Sequence, residues 1–246
     1  MRKKIIYFVF LILIVGCENY DKLENKEIEN IFKPNEIEEI KDINGNSVAI
    51  INKQTKKPLT GIVEYDVRGK ICIETSYRNG KIDGITKEYF GNGKVRRETS
   101  YRNGKENGDD KMYYSNGNIF SILKYKDGVR YGVTRNYYID GSTLREISFK
   151  NGKIDGYERW YDKSGKLFTD TSYTLGKKDG IKKIYIKDAI AEIIYKDDKV
   201  IDAYYIFEDG VKGAMLKSEV KSFLDKVHNR ETSFLSVYRD SALLQF

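Results

Sequence analysis

Glycine recurs through the middle of this chain at a nearly fixed interval. The intervals are 24 residues long after a first interval of 23, and the glycines are Gly61, Gly84, Gly108, Gly132, Gly156 and Gly180. A constant interval of this length is typical of repeat proteins, in which each unit packs mainly on its neighbours in sequence. The chain is therefore predicted to be a serial array of small, similar units.

A second set of glycines marks turns inside each interval. Most of them follow Asn or Asp, as in Asn79-Gly80, Asn92-Gly93, Asn103-Gly104, Asn116-Gly117, Asp127-Gly128, Asp140-Gly141 and Asn151-Gly152. Asn-Gly and Asp-Gly suit the type I′ hairpin turn, because both of its central residues need positive φ. The intervening runs are rich in Tyr, Phe, Ile, Thr and Val, which favour strands. We predict an all-β fold: an elongated single sheet of antiparallel β-hairpins with a short C-terminal helical cap.

Aromatic residues repeat at the same period and form two columns. The first column contains Tyr89, Tyr113, Tyr137, Tyr161 and Tyr185, and the second contains Tyr77, Tyr101, Tyr125, Phe149 and Tyr173. An acidic column, Glu74, Glu98, Glu146 and Asp170, accompanies them. Rings on a sheet either form its core or contact a ligand, and one face can do each because strand side chains alternate. The first column and Trp160 are the candidate binding surface.

The clearest copies of the unit are Gly84-Ile-Thr-Lys-Glu-Tyr-Phe-Gly-Asn-Gly93 and Tyr101-Arg-Asn-Gly-Lys-Glu-Asn-Gly108. This unit resembles the MORN family, and most of all the bacterial variant repeats often labelled YwqK-type antitoxin proteins. The resemblance covers residues 44–213. It implies an elongated β-hairpin array that is used for binding and has no shared catalytic centre. The family label also suggests an antitoxin or immunity role.

The N-terminus has the pattern of an export signal. Basic residues at positions 2–4 precede an apolar run from Ile5 to Val15, which Gly16 and Cys17 follow. This order is typical of a secretory signal peptide, and a cysteine directly after the small residue resembles a bacterial lipobox. A transmembrane anchor would need about 20 apolar residues, more than this run has. We predict a signal peptide over residues 1–16 and a lipid, palmitate included, on Cys17.

An acidic segment follows the predicted lipid site. From Glu18 to Asp42, nine Asp or Glu stand against four Lys, which gives a net charge of −5. Short helical patterns are visible over Leu23–Phe32 and Glu36–Ile43. Charged, weakly apolar composition of this kind predicts a solvated tether over residues 17–43.

The repeat region is basic. The whole chain carries +7, and removal of the signal and the acidic tether leaves +9 on residues 43–246. A basic array suits anionic lipid headgroups or an acidic envelope polymer. Export argues against a nucleic acid partner. Many of the lysines follow turn glycines, where ordinary solvated charges are equally expected.

Residues that could support catalysis or metal binding are scarce. His228 is the single histidine, and Cys72 is the single cysteine besides Cys17. The chain therefore has no Ser-His-Asp or Cys-His set, no histidine-rich metal site and no intramolecular disulfide once Cys17 is lipidated. The paired carboxylates at 109–110 and 197–198 fall at predicted turns, where Asp is common. We expect no enzyme activity, cofactor or metal.

After Ile193 the repeat decays and a helical period replaces it. Apolar residues at helical spacing are Leu216, Val220, Phe223, Leu224 and Val227. They predict an amphipathic helix over residues 215–228, inside a C-terminal cap over residues 214–246. The cap either covers the last open strand edge or binds a partner.

Together these features favour a lipid-anchored protein on the exported side of the cell membrane or outer membrane. Its array would serve as a scaffold for a protein partner at the envelope. Two other functions are left open by the sequence. One is binding of a cell-surface polysaccharide or anionic lipid, and the other is neutralisation of a toxin.

Overall fold

The computed structural model describes residues 31–32, 34–41, 47–67 and 70–242. The predicted signal peptide, Cys17 and most of the tether lie outside these residues. Sixteen strands form one mainly antiparallel sheet and a single helix follows at the C-terminal end, so the predicted fold class is confirmed. Within the described residues, no helix is both long and apolar enough to span a membrane. The chain divides into two compact units, with the boundary in the sequence between Asn107 and Gly108.

The first unit combines repeat strands with a small separate hairpin. β2 and β3 pair with each other in their own two-stranded sheet, whereas β1 pairs in parallel with β4. β4 to β7 follow one another in antiparallel order. The strands are β1 (Ile31–Phe32), β2 (Ile37–Lys41), β3 (Ser47–Asn52), β4 (Gly61–Val67), β5 (Lys70–Arg78), β6 (Lys81–Tyr89) and β7 (Val95–Arg102).

The helical pattern predicted over Glu36–Ile43 is wrong. Ile37–Lys41 is a strand, and the end of the other pattern, Ile31–Phe32, is also a strand. Pairing with β3 explains why β2 is a strand and not a helix. β3 is rich in β-branched residues, which favour strand pairing. This hairpin is joined to the repeats by backbone bonds from Ile50 N to Gly80 O at 2.7 Å and from Leu59 N to Ile50 O at 2.9 Å.

The second unit contains the remaining repeats and the helix. Its strands pair antiparallel in sequence order, except that the short β10 pairs only with β9. β8 begins at Lys105, so its first three residues precede the boundary between the two units. The elements are β8 (Lys105–Tyr113), β9 (Ile119–Lys126), β10 (Val129–Arg130), β11 (Gly132–Tyr137), β12 (Thr143–Lys150), β13 (Lys153–Tyr161), β14 (Leu167–Thr174), β15 (Lys177–Ile186), β16 (Ala189–Lys196), β17 (Lys199–Phe207), β18 (Lys212–Ala214) and α1 (Lys217–Ala242).

The turns are of two kinds rather than one. Both central residues have positive φ at Asn79-Gly80, Asn103-Gly104, Asp127-Gly128 and Asn151-Gly152, as a type I′ turn requires. Only the glycine has positive φ at Asn92-Gly93, Asn116-Gly117 and Asp140-Gly141, so the type I′ prediction is wrong there. These loops are longer, with Gly93 N bonded to Phe90 O at 2.9 Å and a register shift at Tyr89. A left-handed glycine that closes such a loop fits a hairpin with a bulge.

The glycines of the 24-residue column are needed where adjacent strands approach closely. Gly156 and Gly180 both have φ of +107°. A Cβ on Gly156 would lie 3.0 Å from Ser148 Oγ, and one on Gly180 would lie 3.0 Å from Ser172 Cβ. Positive φ and the close serine therefore both favour glycine at this position.

The main core of the second unit lies between the sheet and α1. Trp160, Ile184 and Ile193 pack in one cluster with Val220 and Val227 of the helix. The predicted helix is therefore confirmed, but it continues to Ala242 instead of ending at residue 228.

The described contacts of α1 lie on a face of the sheet, whereas one of the two predicted roles placed the helix over the last strand edge. α1 lies on a face of the sheet, and β18 is the last strand in the order. Lys182 Nζ lies 2.8 Å from Glu231 Oε1, and Thr169 Oγ1 donates to the same oxygen at 2.9 Å. This position buries Val220 and Val227 of the apolar side of the helix.

Candidate functional site: a charged, tyrosine-lined face

In the described part of the chain, α1 packs on one face of the second unit. Side chains alternate along β13, so Glu158 and Trp160 are buried on the α1 side while Arg159 and Tyr161 point to the opposite side. We call this opposite side the ladder face. It is defined by three cations, three carboxylates and three tyrosines: Arg135, Arg159, Lys183, Glu146, Asp170, Glu192, Tyr137, Tyr161 and Tyr185.

The charged residues of the ladder face form a continuous row across the sheet. Register pairs join Arg135 to Glu146, Glu146 to Arg159, Arg159 to Asp170, Asp170 to Lys183 and Lys183 to Glu192. The closest contacts are 2.8 Å for Arg135–Glu146, 3.0 Å for Arg159–Asp170 and 3.2 Å for Lys183–Glu192. The signs alternate from strand to strand, which is the favourable arrangement for cross-strand neighbours.

The cations of the row are more exposed than the acids. Side-chain exposure is 44% for Arg135 against 17% for Glu146, and 43% for Lys183 against 8% for Glu192. Arg159 and Asp170 follow the same order. The hydrogen bonds that Arg135 and Lys183 donate to Glu146 and Glu192 raise the pKa of both cations, so both remain charged. The ladder face therefore presents positive groups outward over partly shielded carboxylates.

Tyrosines flank the row and bond to its carboxylates. Tyr161 OH donates to Glu146 Oε2 at 3.2 Å, and Tyr204 OH donates to Glu192 Oε2 at 2.8 Å. The Arg159 guanidinium lies 4.2 Å from the ring centre of Tyr157. Burial and the nearby Glu146 raise the pKa of Tyr161, which keeps this phenol protonated. The rings are half-buried and fix the row in place.

Most of the predicted binding tyrosines fall on this face. Tyr137, Tyr161 and Tyr185 stand two residues after Arg135, Arg159 and Lys183, and Tyr113 occupies the same repeat position in β8. The fifth member, Tyr89, lies in the first unit. Burial raises the pKa of Tyr89, and its hydrogen bond to Glu74 raises it further.

Trp160 does not belong to the surface, contrary to the prediction. It is 4% exposed and lies in the core beneath α1. Its indole Nε1 donates to Glu158 Oε1 at 3.0 Å, and the guanidinium of Arg145 lies 4.5 Å from the ring centre. Strand alternation is the reason, because Trp160 is one residue from Tyr161 and therefore points to the other face.

Tyr173 of the second aromatic column supports the core side. Tyr173 OH donates to Glu158 Oε2 at 2.9 Å, and Arg145 Nε donates to Glu158 Oε1 at 2.7 Å. Burial alone would raise the pKa of Glu158. The positive charge of Arg145 and the hydrogen bonds that Glu158 accepts outweigh burial, so the pKa is lowered overall. This carboxylate is a structural charge rather than an exposed contact.

The basic half of the row was not among the site residues predicted from the sequence. Its members recur at the 24-residue period together with two residues of the earlier repeats: Lys87, Lys111, Arg135, Arg159 and Lys183. An alignment of the repeats on their glycines contains this signal, two residues before each tyrosine.

The other candidate chemistry is limited in the part of the chain that the structure describes. No group of three or more His, Cys, Asp or Glu side chains there could hold a metal ion. The Cys72 thiol is half-buried and donates to the carbonyl oxygen of Tyr65 at 3.1 Å.

Three segments of the chain are similar to a known repeat family. Residues 82–103, 106–127 and 154–174 match the family described as MORN repeat variant. Each segment covers most of one 24-residue unit, and the last includes Arg159 and Tyr161 of the ladder face. No curated protein gives a significant match to the chain. Three of the repeats of this sheet are thus similar to MORN repeat variant units.

Proposed function

We propose that this chain is a non-catalytic binding protein whose ladder face contacts an acidic surface of a protein partner. The observation that carries the proposal is the row from Arg135 to Glu192, on the sheet face that α1 leaves open. Its outward groups are cations, so a partner with exposed carboxylates is complementary.

The size and composition of the face favour a protein over a small ligand. Five inter-strand steps separate Arg135 from Glu192, which corresponds to about 24 Å at the usual strand spacing. That length suits a standard protein interface of about 800 Å² per partner. Tyr and Arg are also the residues enriched at the energetic centres of such interfaces.

The proposal places the protein at the bacterial envelope. The Gly16-Cys17 motif after a short apolar run supports lipid attachment at Cys17 and exposure on the exported side of the cell membrane or outer membrane. In this view the acidic segment before the repeats separates the anchor from the binding face. If the partner is a toxin, the same interface would make the chain an antitoxin.

Site-specific photocrosslinking in cells tests the proposal. A photoreactive phenylalanine analogue replaces Tyr185 on the ladder face or, as the matched control, Leu175, which is 66% exposed at a hairpin turn. We expect one dominant protein adduct from position 185 and none of that mass from position 175. A Cys17→Ser variant should lose the adduct if anchoring brings the two proteins together.

Two results would contradict the proposal. Equal adducts from both positions would show contact without a defined face. A ladder-face probe that yields no protein adduct, while polysaccharide or lipid copurifies with the chain, would favour the polymer-binding or lipid-binding function.

A further inference from the structure

The first unit contains a cavity of about 650 Å³ between the small hairpin and the repeat strands. Ile37 and Glu39 of β2 line it on one side, and Tyr65 and Tyr77 of β4 and β5 line it on the other. Its volume falls in the range of about 300–1,000 Å³ that is usual for small-ligand sites. No part of the ladder face of the second unit contributes to it.

Two phenols and one carboxylate meet in this cavity. The side chains of Tyr65 and Tyr77 come from the paired strands β4 and β5, and both line the cavity. Burial raises the pKa of both tyrosines, and the carboxylate of Glu39 lies near enough to raise them further. Both phenols therefore remain protonated and can donate and accept hydrogen bonds, while Glu39 accepts them. This combination matches the hydroxyl groups of a sugar.

Two repeats bring the same turn to the rim of the cavity. The sequence Tyr-Arg-Asn-Gly-Lys occurs at residues 77–81 and 101–105, and Lys81 and Lys105 both line the cavity. Glu39 is the single acid among the described lining residues, so these carry a net charge of +1. Glu39 also has an ion-pair partner, since Lys41 Nζ lies 3.4 Å from its Oε2. The cavity thus favours a ligand that carries a negative charge.

The wall also contains apolar surface. Ile50 and Ile82 line the cavity beside the phenols, and a backbone bond from Ile50 N to Gly80 O at 2.7 Å holds the hairpin over it. A sugar ring has an apolar C–H face as well as hydroxyl groups, so it can use both kinds of wall.

We propose that this cavity binds one sugar residue that carries a carboxylate or a phosphate. Lys81 and Lys105 pair with the anionic group, and Tyr65, Tyr77 and Glu39 exchange hydrogen bonds with the ring hydroxyls. The site is independent of the ladder face, so the chain would hold an acidic sugar and a protein partner at separate places.

Calorimetric titration of the full chain in detergent solution tests the site. The probes are glucuronate, glucose 6-phosphate, neutral glucose and inorganic phosphate. We expect saturable binding of at least one anionic sugar, with glucose and phosphate each weaker by about tenfold or more, because each lacks one set of contacts. The tighter of the two anionic sugars identifies the anionic group.

Variants then assign the binding to this cavity. Lys105→Ala and Tyr77→Phe should each weaken binding of the anionic sugar about tenfold. Lys177→Ala is the matched control, because Lys177 occupies the same repeat position but lies outside the cavity. Its affinity should stay unchanged. A thermal melt of each variant separates loss of contact from loss of folding.

Three outcomes would overturn the proposal. They are the absence of saturable binding, binding of phosphate or glucose as tight as that of the anionic sugars, and unchanged affinity in the folded Lys105→Ala variant.

Discussion

Arg159 and Trp160 are neighbours in sequence but serve opposite faces of the same sheet. Arg159 Nε lies 3.0 Å from Asp170 Oδ2 on the ladder face, whereas Trp160 is buried beneath α1 and bonds to Glu158. One face of the second unit is thereby committed to packing, and the other is free to bind. This division underlies the functional proposal.

The buried Glu158 should contribute strongly to stability. Glu158→Gln removes the charge that compensates Arg145 in a site where the two side chains are 11% and 22% exposed. We expect a loss of about 3 kcal/mol in the free energy of unfolding, measured by urea denaturation. Asp109→Asn is the control, because the Asp109–Lys124 pair is more exposed and should cost under about 1 kcal/mol. Similar small losses in both variants would contradict the structural role of Glu158.

The Lys182–Glu231 pair should hold α1 on the sheet. Glu231→Gln leaves the buried Lys182 without its charge partner, and we expect a loss of about 3 kcal/mol. Lys182→Met combined with Glu231→Leu removes both charges and should be less destabilising than the single change. Urea denaturation monitored by Trp160 fluorescence measures both, since Trp160 lies in the core under the helix. A double variant at least as destabilised as Glu231→Gln would argue against a coupled pair.

The repeat glycine should be intolerant of a side chain. Gly156→Ala places a Cβ near Ser148 at a φ of +107°, and we expect a loss of at least about 1 kcal/mol. Gly91→Ala is the matched control, because no atom lies within 4 Å of its Cβ position and its φ is not positive. Thermal unfolding should show a lower midpoint for Gly156→Ala alone. Equal midpoints would mean that the strands can separate without cost.

The first unit should become less stable as the pH rises toward neutrality. Burial, together with Glu74 directly opposite, raises the pKa of Glu64 to about 7. The folded state therefore binds this proton more tightly than the unfolded state. The stabilisation from this proton is complete below about pH 4.5 and is lost as the pH rises through about 7, by about 3 kcal/mol. Urea denaturation at a series of pH values measures it. Glu64→Gln should flatten this profile, and an unchanged slope in that variant would refute the assignment.

The sequence predicts the fold through its period. The glycine column, the strand-forming runs and the helical spacing near Val220 each have a local cause, and the sheet and helix follow from them. Trp160 and Tyr161 show what the period leaves undetermined, because the pattern does not say which face α1 covers. The β2–β3 hairpin depends on pairing between segments, and the Glu36–Ile43 helical pattern was misleading for that reason.

About half of the candidate site could be predicted from the sequence. The tyrosine column and the acids at 146 and 170 are visible in the repeats, but their function depends on Arg135, Arg159 and Lys183 opposite them. Register decides which residues meet across strands, and register was not known from the sequence. Exposure is likewise a property of the packed sheet, so the outward position of the cations appears only in the structure.

A charge swap tests the ladder face most directly. Arg159→Asp combined with Asp170→Arg keeps the cross-strand pair, and therefore the fold, but reverses the local charge presented to a partner. The measurement is the yield of the protein adduct from the photoreactive residue at position 185 in cells. We predict that the swap reduces the yield at least about tenfold while the melting temperature stays close to that of the parent. An undiminished yield in the folded swap variant would contradict binding through this face.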